Sequence, residues 1–166
     1  MFFANLLKQV LKILQTDISP NQVAFGAAMG VFLGLVPGFL MKCVIFVFIM
    51  FLSVNVGAAF ILSGIFALVG LLTDPVSGKI GYMVLNAGFL VPFWTYLYNL
   101  PIVAFTKFNN TVVMGNIILS AILFVPVFFS SKKFILYYRK NWREKVAKWR
   151  IVKILTAGSI SYKIIK

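Results

Sequence analysis

The chain has 166 residues, 61% hydrophobic and 11% charged, with a mean hydropathy of +1.00, which leaves too little polar surface to cover a water-soluble globule of its size. Its 16 Lys and Arg stand against only Asp17, Asp74 and Glu144, a net charge of +13, with no His and a single Cys. That excludes a disulfide framework and most acid–base, nucleophilic and metal chemistry, so neither an enzyme, nor a cofactor, nor a metal site is expected.

The first eighteen residues place Phe2, Phe3, Leu6, Leu7, Val10, Leu11, Ile13 and Leu14 against Asn5, Lys8, Gln9, Lys12 and Gln15, a 3.6-residue period. Residues 1–18 therefore read as an amphipathic helix, lying either in the membrane interface or on the protein's own cytoplasmic face. They lack the continuous apolar core and small-residue cleavage site of a signal peptide, so the segment is expected to be retained.

Residues 19–130 read as the membrane domain. Ser19 is placed as an N-cap, Pro20 as the first helical residue and Gln22 as the returning partner of a capping box. The helix from Pro20 to about Val36 carries Gly26, Gly30 and Gly34 at four-residue spacing, a face that a neighbouring helix or a lipid chain can approach closely. Pro37-Gly38 then removes a backbone donor and permits unusual dihedrals, so a break is expected there. Irregular backbone at membrane depth must be surrounded by protein or line a cavity. Gly26, Gly30, Gly34, Pro37 and Gly38 are accordingly the candidate lipid groove or helix-packing face.

The apolar run resumes over 39–54. Lys42 near its start either snorkels to the interface or meets a lipid headgroup, and Cys43 reads as a small buried hydrophobe. Asn55-Val56-Gly57 interrupts the run, 58–72 gives another, and Thr73-Asp74-Pro75 is expected to end it, with Asp74 as a helix terminator. A further run over 80–100, broken by Pro92, ends in the aromatics Phe93, Trp94, Tyr96 and Tyr98, which favour the headgroup level. Lys107-Phe108-Asn109-Asn110 is a polar stop before the last run, 112–129. The six Asn from Asn55 to Asn116 read as polar glue between helices. The motifs Phe32–Pro37 and Gly88–Pro92 hint weakly at an inverted repeat.

Residues 131–166 form a basic tail, which reads as an amphipathic helix on an anionic membrane surface. Arg139, Lys140, Arg143, Lys145, Lys148 and Arg150 flank a stripe that includes Trp142 and Trp149. Eleven of the sixteen basic residues lie at or after Lys132, and Lys8 and Lys12 precede the first apolar run. The positive-inside rule thus puts both termini in the cytoplasm. Five full crossings would separate them. The expected fold is an all-α polytopic membrane bundle of about four to five apolar segments, one of them re-entrant or broken at Pro37-Gly38, flanked by amphipathic helices. Lipid, rather than nucleic acid, is the expected anionic partner.

The run from Ser19-Pro20 through Val23-Ala24, Gly26, Ala28, Gly30, Phe32 and Gly34 to Pro37 resembles the S-P-x-x-[IV]-A-x-G-x-A-x-G-x-F-x-G-x-x-P signature of a bacterial family of small, uncharacterised integral membrane proteins. The stretch from Leu97-Tyr98-Asn99-Leu100-Pro101 to Thr111 is similar to one branch of it. The resemblance implies a bacterial inner-membrane location and pairing with a large AsmA-like envelope protein of the kind implicated in lipid movement between membranes. The leading expectation is an inner-membrane subunit that anchors, or hands phospholipid to, such a protein. The alternatives are a stand-alone small-solute transporter with Lys42 and Asp74 as coupling charges, and a structural scaffold with a basic docking tail.

Overall fold

The computed structural model describes residues 9–10, 13–14 and 18–147. Among these the fold is all-helical, with α1 (Pro20–Leu35), α2 (Phe39–Phe51), α3 (Val56–Leu85), α4 (Val91–Tyr98), a short 3-10 helix (Val103–Thr106), α5 (Thr111–Asn141) and α6 (Arg143–Ala147). Two of these, α3 and α5, are long and apolar enough to cross a membrane, rather than the four or five expected.

The difference arises at prolines. Thr73-Asp74-Pro75 does not end a helix, and α3 runs through Pro75 without interruption. Pro75 gives up one main-chain hydrogen bond, but the Thr73 hydroxyl donates to the Val69 and Gly70 carbonyls within the same turns. Asp74 is bonded across to the next helix. Two predicted segments thereby fuse into one helix of about 45 Å, at 1.5 Å per residue. The run expected over 80–100 is broken, but over 86–90, ahead of Pro92, which sits in the first turn of α4, where proline is well suited. Helix α5 passes through Pro126 and continues into the basic tail as far as Asn141.

Helix α1 starts at Pro20 as the sequence predicts, but Ser19 caps by position alone, with no side-chain cap bond. Instead of closing a capping box, Gln22 offers its carbonyl to the Asn55 N–H at 3.1 Å, which ties the start of α3 to the start of α1. Asn55 does the capping here: its side chain accepts from the Ala58 N–H at 2.8 Å. Asn110 caps α5 in the same way.

Helices α1, α3 and α5 form the packed centre, and their directions follow from the residues that meet. Gly26, Gly30 and Gly34 face Asn55, Ala59 and Ser63 in turn, so α1 and α3 run parallel. Gly81 faces Thr111 and Gly115 faces Ser77, so α5 runs antiparallel to α3. Phe25 meets Phe124 edge-on at 5.2 Å, with Phe128 beside it, and Phe32 lies at 6.3 Å from Phe124. Such ring pairs contribute about 0.5–1.5 kcal/mol each beyond area burial.

Helix α2 folds back along α1 as a hairpin. Its one fully buried side chain, Ile49, joins Met29, Leu33 and Ala59. The start of α1, the end of α2, the start of α3 and the basic stretch of α5 thus share one end of the molecule, the near end. The turn at Pro37-Gly38 reaches only part-way along α3, where Leu35 touches Gly70. Beyond it α3 and α5 continue without α1 to the far end, which is closed by α4 and residues 99–110: Trp94 Nε1 donates to the Val84 carbonyl and the Trp94 ring meets Phe108. Phe32–Pro37 closes a helix while Gly88–Pro92 opens one, so the two motifs are not structural equivalents.

Candidate functional site

The glycine face of α1 is filled by α3. A Cβ on Gly26 would strike the Asn55 carbonyl, on Gly30 the Ala59 carbonyl at 2.5 Å, and on Gly34 both the Ser63 carbonyl and Phe66 Cβ at 2.6 Å. No groove remains open for a lipid chain along this face. The three glycines let two parallel backbones approach, the packing role of a small-xxx-small stripe.

Helices α3 and α5 meet in a second seam, which the sequence reading did not assemble. Gly81 and Gly115 lie so close to Thr111 and Ser77 that a Cβ on either would overlap main-chain atoms. Between them the Ser77 hydroxyl donates to Asn116 Oδ1 at 2.7 Å, and Asn116 Nδ2 donates to Asp74 Oδ1 at 2.9 Å. Ser77 and Asn116 are fully buried. Asp74 is half-buried, and Asn116 is its only side-chain hydrogen-bond partner among the described residues. Ser120, one helical turn from Asn116, is also fully buried, and its hydroxyl has no partner. The detectable signal was the register of small polar residues: Thr73, Asp74 and Ser77 on one helix, Asn116 and Ser120 on the other.

At the hairpin turn Val36 is fully buried, Pro37 is half-buried and Gly38 is exposed with φ of 95°, a left-handed conformation that suits glycine. The break expected at Pro37-Gly38 is therefore present. Lys42 and Cys43 are half-buried on the first turns of α2. Lys42 is thus set at the turn, apart from the glycine seam.

At the near end Lys132, Lys133, Arg139 and Lys140 all lie on α5, followed by Trp142 as its C-cap. Arg143 and Lys145 lie on α6, while Lys148, Trp149 and Arg150 fall outside the described residues. The expected tail helix is divided at Trp142. An apolar cavity of about 370 Å³ opens between α1, α3 and α5 at this end, with Ser130 and Ser131 on its rim and Val10, Ile13 and Leu14 on one wall. Ile13 and Leu14 also pack on the cluster of Val23, Ala24, Ala58 and Ile135. The described part of the N-terminal segment therefore sits against the protein body.

Fold and seams together define an all-helical protein in which a short helical hairpin leans on two longer apolar helices. The chain belongs to the family described as an uncharacterized protein conserved in bacteria, DUF2062, which matches residues 4–144. Neither a curated protein nor a solved structure matches the chain.

Proposed function

We propose that this chain is a non-enzymatic, multi-pass subunit of the bacterial inner membrane that anchors a large AsmA-like envelope protein, or hands phospholipid to it. In this reading α3 and α5 cross the bilayer, the α1–α2 hairpin enters and leaves by the near side, and the far end faces the periplasm. Two full crossings and one re-entrant hairpin return both termini to the cytoplasm, which agrees with Lys132, Lys133, Arg139 and Lys140 at the near end. Lipid as the surrounding solvent accounts for exposed apolar side chains along α2, α3 and α5, a surface far beyond the patches that soluble monomers leave open.

One observation carries the subunit reading. Because the hairpin stops level with Gly70, the far part of α3 runs on without α1 beside it, and Phe39 at 83% and Leu72 at 81% exposure are left uncovered near that level. Uncovered apolar side chains at this level suit the membrane segment of a partner or a lipid in transit. A photo-crosslinking side chain at Leu72 should capture a large envelope protein or phospholipid in intact cells. Adducts at Leu72 that match those from Ile122, on the outer face of α5, would refute the reading.

The rival reading, a small-solute transporter, gains support from the Asn116–Asp74 bond, since a carboxylate held between two crossing helices resembles a coupling site. Uptake lost in Asp74→Asn, with the envelope adducts unchanged, would favour it.

A further inference from the structure

The hairpin turn brings the end of a helix, with its unpaired carbonyls, to the middle of the molecule. In α1 the Val36 N–H takes the Phe32 carbonyl. Pro37 has no N–H to offer Leu33, and no main-chain donor outside α1 reaches the carbonyls of Leu33, Gly34 or Leu35 among the described residues. A helix C-terminus of this kind carries the equivalent of roughly half a negative charge, and the last turn of α1 holds no basic residue.

Helix α3 aims its lone carboxylate at the same level. Gly70 lies against the Cα and carbonyl of Leu35, and Asp74, one helical turn further on the same face, stands just past the point where α1 ends. Pro75 withholds a donor from the Leu71 carbonyl in this turn. Helix α5 adds Ser120. Gly115 packs on Ser77, so in the antiparallel register Ser120 lies level with the Gly70–Thr73 turn. Its hydroxyl is fully buried and unpartnered, which is costly in an apolar interior. Neither Lys42 nor Lys79 forms an ion pair with Asp74 among the described residues.

We infer that the end of α1, Asp74 and Ser120 form a binding site for a small hard monovalent cation of the sodium class, set at the junction of α1, α3 and α5. The donors available are a carboxylate, a hydroxyl and main-chain carbonyls, all oxygen, the set that hard cations take, and the single carboxylate charge matches a monovalent ion. Half-helix C-termini and freed carbonyls also provide cation sites inside membranes. Asn116, itself held by Ser77, orients the carboxylate and acts as a positioning residue. The inference rests on the membrane placement of α3 and α5 and not on the AsmA-like partner, so failure of the crosslinking experiment leaves it standing.

A hydrophobic carbodiimide, which modifies carboxyls at membrane depth, tests it on the purified full-length chain in nanodiscs. The chain has only three acidic side chains, so peptide mass spectrometry separates Asp74 from Asp17 and Glu144. Sodium chloride, against equimolar choline chloride, should slow Asp74 labelling severalfold and leave Asp17 and Glu144 unchanged. Ser120→Ala should keep the labelling and lose the sodium protection. Asp74 labelling that is indifferent to sodium in the wild-type chain overturns the site, as does protection equal at all three acids or a carboxylate that never labels.

Discussion

Two glycines, Gly81 and Gly115, hold α3 and α5 in near backbone contact, and their substitution tests the seam most directly. A leucine at Gly115 has nowhere to go, since even its Cβ would overlap the Ser77 main chain. Overpacking of this kind costs about 1–3 kcal/mol where neighbours can yield, and backbone cannot yield as a side chain does. Gly115→Leu is expected to lower the thermal midpoint in detergent sharply or to prevent assembly of the bundle. Asn116→Ala removes two hydrogen bonds without overlap and should cost only about 1 kcal/mol, the scale of interhelical bonds inside membranes. Near-equal midpoints for the two variants, read by size-exclusion fluorescence, would mean that the seam is not what joins these helices.

At the scale of elements, the sequence was legible where a signal had one meaning. Ser19-Pro20 marked the start of α1 and Pro37-Gly38 its end, because a donorless residue followed by one at φ of 95° leaves a helix no continuation. Thr73-Asp74-Pro75 was misread because its cues are stop signals only where the side chains stay on their own helix. Here Thr73 bonds back to its own turn and Asp74 bonds to Asn116, 42 residues further on. A spacing that long is invisible to local pattern. The glycine stripe of α1 was legible as a close-approach face, but its occupant was not, since a lipid chain and a helix backbone ask the same of a smooth surface. Gly38→Val should separate the turn from the stripe. It places a β-branched residue in the left-handed region with open space around it, and backbone strain of about 1–3 kcal/mol should shift the unfolding midpoint while the α1–α3 seam stays intact. A crosslink between cysteines placed at Ala24 and Ala58, which share one buried cluster, reads out that seam; its loss in Gly38→Val would show that the hairpin folds as one unit with it.

For the whole molecule, the charge pattern and the helix count must agree. The sequence predicts five segments, one of them re-entrant; the structure has two helices long enough to cross and one short hairpin, which the proposed topology counts as two crossings and a re-entrant turn. The two descriptions part at the turn. If α1 and α2 were full crossings, Phe39 would emerge in the periplasm beside Gly88. In the proposed topology it stays within the bilayer, because α1 spans about 24 Å from the near end and the hydrocarbon core about 30 Å. Single cysteines in a Cys43→Ala background distinguish these. An impermeant maleimide applied to intact spheroplasts should label Gly88→Cys quickly, Phe39→Cys far more slowly and Asn141→Cys only after permeabilisation. Labelling of Phe39→Cys as fast as that of Gly88→Cys would put the turn in water, and the re-entrant hairpin, the lipid-facing side chains at its turn and the cation site just beyond it would all lose their basis together.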